Sequence, residues 1–297
     1  MTPPDQDNNT AFKIGGSPSP IGISPGHDDL GFDFALAVPW FHHEEDEPYV
    51  LVRVSDDHAR AWSSVLGLTV RRCFMSDAIV SAQSEMFNVS AQEVIAASLP
   101  DPGATMSGDF GEILVYLYQG AKALPTPVLG AKKWRLKQDR TKPAPKSDVV
   151  HFVLPAWPTA TEKDAILCAE VKSKATKGKS SPIREAIDDS LNRDQVSRLT
   201  DTLVWLHDRI LTGASLGDVQ RPHLQRFINA TDHPAFEKRF SAVAVVCASL
   251  IDDELKHAPT IKPEEYTVVV IAVPDLKGTY SSVFEAAMAA APPGTSP

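Results

Sequence analysis

The 297-residue sequence holds only three cysteines, Cys73, Cys168 and Cys247, far apart and odd in number. No C-x-x-C spacing occurs, so they suggest neither a disulfide framework nor a zinc site. Cys168 and Cys247 sit inside apolar runs and read as core thiols, which fits a reducing, cytoplasmic setting. No apolar stretch reaches the roughly 20 residues of a membrane helix. The N-terminus lacks a charged n-region and an apolar h-region, so no signal peptide is expected. No G-x-x-x-x-G-K-[ST] occurs, which excludes a P-loop motor in this chain. The nine histidines are scattered without zinc-ligand spacing, and no nucleophile elbow of the serine hydrolases is expected.

What is present is a bias of charge. The net charge of −9 argues against a general nucleic-acid binder. Residues 131–184 nevertheless carry 13 basic and 5 acidic side chains, a local +8. A basic strip on an acidic protein steers a polyanion to one place.

Residues 1–30 are rich in Pro, Gly, Ser, Asn and Asp and read as a flexible tail, as does 291–297. Residues 31–100 read as an N-terminal α+β region. Within it Phe32–Val38 and Tyr49–Val54 look like strands, and Ser76–Ser98 looks like one or two helices. The acidic His42-His43-Glu44-Glu45-Asp46-Glu47 between the two strands reads as plain surface. Residues 101–290 form the main α/β unit. Ser107–Gln119 reads as a helix capped by Ser107. Val128–Leu136, Asp148–Leu154 and Ala165–Val171 read as three strands. Pro182 to about Leu211 reads as one long helix with a buried face. Phe240–Cys247 and Tyr266–Val273 read as strands, and Ser281–Ala290 as a closing helix. The order predicts a mixed sheet flanked by helices.

Charges stand at matching ends of two of these strands. Asp148 opens one apolar run, and Glu170 and Lys172 close the next. Alternation puts Glu170 and Lys172 on one face. Two carboxylates at one point repel unless a cation joins them. A hard ion such as Mg²⁺, or Mn²⁺, suits oxygen ligands. Glu112, in Gly108-Asp109-Phe110-Gly111-Glu112 on the preceding helix, adds a third carboxylate. Lys172 beside such an ion orients a water or stabilises a phosphate's developing charge.

The ordered set Glu112, Asp148, Glu170, Lys172 resembles the PD-(D/E)xK nuclease superfamily, over roughly Ser107–Cys247. More narrowly, Gly108–Glu112, Ser147–Phe152 and Ala169–Ser173 look like the nuclease subunit family of the Hachiman anti-phage system. One departure is that Ser147, not Pro, precedes Asp148. The resemblance implies a restriction-endonuclease-like core of helix, three-strand meander, long helix and strand. It implies that Asp148, Glu170, the Val171 carbonyl and Glu112 bind the metal, and that Lys172 positions the attacking water. It also implies a helicase partner, DNA as substrate and products with 5′-phosphates. Lys137, Arg140, Lys142 and Lys146 before the site, and Lys174, Lys177 and Lys179 after it, are candidates to hold the nucleic-acid backbone, which positions without reading sequence. The expected function is DNA cleavage with little sequence specificity. The alternative is an inactive nuclease-fold scaffold or a nucleic-acid-binding subunit of a helicase complex.

Overall fold

β-Branched apolar runs from both halves of the chain assemble into one seven-stranded sheet, in a computed structural model that describes residues 30–45, 48–192, 195–260 and 266–292. A 3₁₀ turn at Phe34–Trp40 comes first, then β1 (His42–Glu45), β2 (Val50–Arg53), α1 (Asp56–Phe74), α2 (Asp77–Phe87) and α3 (Ala91–Ser98). The middle of the chain gives α4 (Ala104–Ala123), β3 (Val128–Gly130), β4 (Val149–Val153), β5 (Ala165–Lys174), α5 (Pro182–Asn192), α6 (Gln195–Leu211) and α7 (Arg221–Ile228). The last third gives β6 (Glu237–Cys247), α8 (Ile251–His257), β7 (Tyr266–Val273) and α9 (Leu276–Ala289).

The strands lie in the order β1-β2-β7-β6-β5-β4-β3. β2, β7, β6 and β5 are parallel; β3 and β4 return as an antiparallel meander, and β1 is antiparallel at the far edge. This is the expected mixed α/β sheet, with the meander β3–β4–β5 and a helical crossover to β6. β6 and β7 lie inside the sheet, and Ala242–Val246 and Val268–Val273 are buried. Strands covered on both faces read as unbroken apolar runs rather than alternating ones.

α4 is the axis of the core. Every residue from Asp109 to Ala121 is buried, so this stretch of the helix has no solvent face. Its contact with β5 is made close by Gly111. A Cβ there would stand 2.0 Å from Ser173 Oγ, so only a glycine lets the helix approach the strand this tightly. That approach sets the height of the next residue, Glu112.

Several elements differ from the sequence reading. Phe32–Val38 is not a strand. Asp33 accepts from the Ala35 amide at 2.9 Å and starts the 3₁₀ turn, whose Phe34 and Trp40 are buried while Leu36 and Val38 face solvent. His42–Glu45 is an edge strand rather than plain loop, held by Arg53 on Glu44 at 2.6 Å. α1 had no counterpart in the reading. Ser55 caps it, and Ala59, Trp62, Leu66, Val70 and Cys73 form its buried stripe. α4 begins a turn before Ser107, after Gly103. Val128–Leu136 is a strand only to Gly130 and then turns into a 3₁₀ helix at Lys133–Leu136. The stretch read as one long helix is helical on both sides of residues 193–194, as α5 and α6, and those two residues lie outside the described ones. α7 and α8 were not foreseen. The tail assigned to 1–30 lies, up to residue 29, outside the described residues, as does 293–297 of the C-terminal one.

Candidate catalytic site

The β4–β5 ladder ends at Val149 opposite Ala169. Asp148 and Glu170 therefore stand across from one another just past the last pair. The Val171 amide has no strand partner there, and Asp148 Oδ2 accepts from it at 2.7 Å. A carboxylate thus takes the place of the missing ladder carbonyl. Glu170 and Lys172 share a face, with Lys172 Nζ 3.0 Å from Glu170 Oε1. The same ammonium lies 2.6 Å from Asp189 Oδ2 on α5.

Glu112 comes down from α4. Its Oε2 accepts from Trp134 Nε1 at 2.9 Å and lies 3.3 Å from Lys133 Nζ. Lys133 Nζ is also 3.8 Å from Asp148 Oδ1. Arg198 reaches in from α6. It pairs with Glu170 Oε2 in a short contact, stands 3.7 Å from Asp148 Oδ1, and donates to the Lys146 carbonyl at 2.7 Å. Lys133 thus bridges Glu112 to Asp148, and Arg198 bridges Asp148 to Glu170.

The carboxylates strain against their surroundings. Burial pushes Glu112 up to about 8; the Lys133 charge opposes this, while Asp148 and Asp109 add to it. Burial, then the charge of Asp148, also raises Glu170 above the ordinary range, against Arg198 and Lys172. Burial pulls Lys172 down, but the Asp189 hydrogen bond and Glu170 outweigh it, so its ammonium holds its proton more tightly than usual. The pocket carries more negative charge than its cations relieve.

Oxygen donors under such strain suit a hard divalent ion. Their present spacing serves ion pairs instead: among the described residues, no group of three or more His, Cys, Asp or Glu side chains is set to hold a metal. The donor chemistry fits such an ion, and Lys133 and Arg198 lie between the carboxylates.

Sequence reasoning gathered Glu112, Asp148, Glu170, Val171 and Lys172, and all five meet at this end of the sheet. It missed Lys133, Trp134, Asp189 and Arg198. Lys133 was hidden by reading residues 128–136 as strand. Arg198 flanks Leu199 on a helix and resembles any solvated neighbour of an apolar stripe. His151, inside the Asp148 motif, turns the other way. It is buried on the Tyr116 ring at 4.3 Å with Nδ1 3.0 Å from Gln119 Oε1, and burial pulls it down to about 3.

The departure at Ser147 has a structural reason. Its amide donates to Thr202 Oγ1 at 3.2 Å, and its hydroxyl lies 2.9 Å from the same atom. Proline has no amide to give. The bond ties the turn before Asp148 to α6, the helix that carries Arg198.

The basic strip divides. Lys137 spends its ammonium on buried Asp109, and Lys174 on Glu254 at 2.7 Å and the Gly178 carbonyl at 3.0 Å, so neither presents a free charge to a backbone. Arg140 pairs with Asp101 at 2.7 Å, Lys142 with Asp139 at 3.1 Å, and Lys146 lies 3.9 Å from Asp201. Lys177 and Lys179 are exposed.

The letters G-x-S-x-G do occur, at Gly213-Ala214-Ser215-Leu216-Gly217. They follow helix α6 rather than a strand, and Ser215 Oγ accepts from the Gly217 amide, at 3.4 Å. A nucleophile elbow needs a strand-to-helix turn, so the site is not one. Among the described residues no helix is long and apolar enough to cross a membrane.

A comparison with curated proteins found no match. A family model described as HamA matches residues 39–287, which span the sheet, α4 and every residue of the carboxylate cluster. The chain therefore belongs to the HamA family, a component of Hachiman anti-phage defence.

Proposed function

We propose that this chain is the nuclease of its defence system, a metal-dependent enzyme of the PD-(D/E)xK type that hydrolyses DNA phosphodiesters with little sequence specificity. The observation that carries this reading is the meeting of Glu112, Asp148 and Glu170 with Lys172 at one end of the sheet, from three different elements. Asp148, Glu170, Glu112 and the Val171 carbonyl would hold Mg²⁺ or Mn²⁺. Such an ion lowers the pKa of a bound water and polarises the phosphate. Lys172, charged and held between Glu170 and Asp189, would orient the attacking water and face the charge that develops on the phosphoryl oxygens. Asp189 is its positioning residue. Exposed Lys177 and Lys179 hold the backbone alongside. A helicase partner delivers DNA and restrains the activity.

A second reading, a nucleic-acid-binding or scaffold subunit on the same fold, is favoured by one observation. Arg198 and Lys133 already neutralise part of the cluster without an ion. The deciding experiment incubates purified protein with plasmid and Mg²⁺, beside an EDTA control and the Lys172→Ala and Asp148→Ala variants. Metal-dependent cutting lost in both variants establishes the nuclease. Where the chain alone is silent, the helicase partner and ATP are added. If plasmid still stays intact and Mg²⁺ leaves the thermal midpoint unmoved, the scaffold reading holds.

A further inference from the structure

A second concave site lies at the opposite end of the same strands. A cleft of about 1410 Å³ opens where α4 runs out over the sheet, lined among others by Gln119, Lys122, Lys163, Arg239, Ser241 and Thr267. Register explains its floor. Arg239 pairs with Leu167, and Ser241 pairs with Ala169 on one side and Thr267 on the other. By alternation Arg239 and Ser241 share a face, and Thr267 lies beside Ser241. This leaves a strip of sheet face bearing a guanidinium and two hydroxyls beside the last turn of α4.

Among the described residues that line it, the charges are one-sided. Lys122 comes from α4, Lys163 from the turn before β5, and Lys238 and Arg239 from β6. Among the described residues that line the cleft, Glu237 is the one carboxylate, paired with Arg239 at 2.6 Å. Lys122 and Lys163 are exposed and make no ion pair among the described residues, and the Ser241 and Thr267 hydroxyls make no hydrogen bond among them. On a chain of net charge −9, such a gathering of cations is not the average surface. The volume exceeds the roughly 300–1,000 Å³ of a small-molecule pocket. Tyr118, from α4, adds a ring to the lining.

We infer that this cleft binds a single strand of nucleic acid, with phosphates on Lys122, Lys163 and Arg239 and on the Ser241 and Thr267 hydroxyls. Cations and free hydroxyls along a recessed groove are a chemistry that tracks a single strand's phosphates. A duplex, convex and stiff, does not reach the floor. The site is separate from the carboxylate cluster and stands whether or not that cluster cuts.

The test is fluorescence anisotropy of a fluorescein-labelled oligothymidylate with the full chain in EDTA, so that cleavage does not enter. The double variant Lys122→Glu, Arg239→Glu is expected to weaken binding about tenfold or more. It should also flatten the log–log salt dependence by about 1.4, near 0.7 for each phosphate no longer neutralised. The charge-conserving Lys122→Arg, Arg239→Lys keeps the affinity, and so does Lys256→Glu, Lys277→Glu on exposed residues that follow the far ends of β6 and β7. All four positions are on the surface, and circular dichroism checks that each variant folds. Unchanged affinity in the double Glu variant overturns the proposal. So does failure of the native chain to bind the strand, an equally tight hairpin duplex, or equal displacement by polyglutamate, which would mark an acidic protein as the occupant.

Discussion

Strand β5 has a buried ionic group at each end, and the two are built differently. Just before its start, Asp164 accepts from the Thr161 amide at 3.1 Å, the Thr161 hydroxyl at 3.0 Å and Arg226 Nε at 2.6 Å. Arg226 also donates to the Thr161 and Pro234 carbonyls at 3.1 and 2.9 Å. One carboxylate meets one guanidinium, and neutral donors and acceptors take up most of what remains. Towards the other end four carboxylates, Glu112, Asp148, Glu170 and Asp189, share three cations, Lys133, Arg198 and Lys172, and burial pushes Glu112 and Glu170 up in pKa. A pair that only stabilises is matched one to one. The cluster leaves charge over, and under the proposed function that surplus is what an incoming cation would relieve.

Substitutions should separate the two ends. The largest effect falls on the anchor. Asp164→Ala strands a buried guanidinium and is expected to cost about 3–5 kcal/mol, seen as an early midpoint in urea. A loss below roughly 1 kcal/mol would erase the distinction. At the cluster, Lys172→Ala should leave the urea midpoint nearly in place while plasmid cleavage drops on the order of a hundredfold or more.

The next prediction uses pH. Glu112 binds its proton more tightly folded than unfolded, 4.5 being its ordinary value and about 8 its folded one. The folded state then holds more protons across that window, so stability falls as pH rises from about 4.5 toward 8. In Glu112→Gln that fall should flatten, as read by urea unfolding at a series of pH values. An unchanged slope would assign it to another group. The smallest effect belongs to Ser147→Pro, which removes the amide bond to Thr202 and should cost about 1–3 kcal/mol. Its thermal midpoint checks this, and a proline that stabilised the chain would show that the superfamily's usual residue is tolerated here.

The sequence exposed the carboxylate end far better than the anchor. Charges closing apolar runs are visible because alternation leaves few ways to place them, and the meander follows from three runs in a row. Asp164 and Arg226 lie 62 positions apart and meet through α7, a helix of eight residues with too little periodicity to announce itself. Arg198 and Lys133 were lost for a related reason. Each is a cation beside an apolar residue, a pattern shared with solvated surfaces, and only tertiary folding aims it inward. α1 is a different case. Ser55 and the stripe Trp62, Leu66, Val70 were there to be read.

Asp164 and Lys172 are eight positions apart, so about 26 Å of extended strand separates the anchor from the ammonium proposed to act on the phosphate. The strand behaves as a ruler fixed at one end. Loosening its fixed end misplaces the reading end without altering a single reacting atom. A genetic screen for lost phage protection would therefore recover Asp164 and Arg226 beside Asp148, Glu170 and Lys172. Protein abundance in the cell would tell the two groups apart, since the first set should vanish from the lysate and the second should persist there, folded and silent.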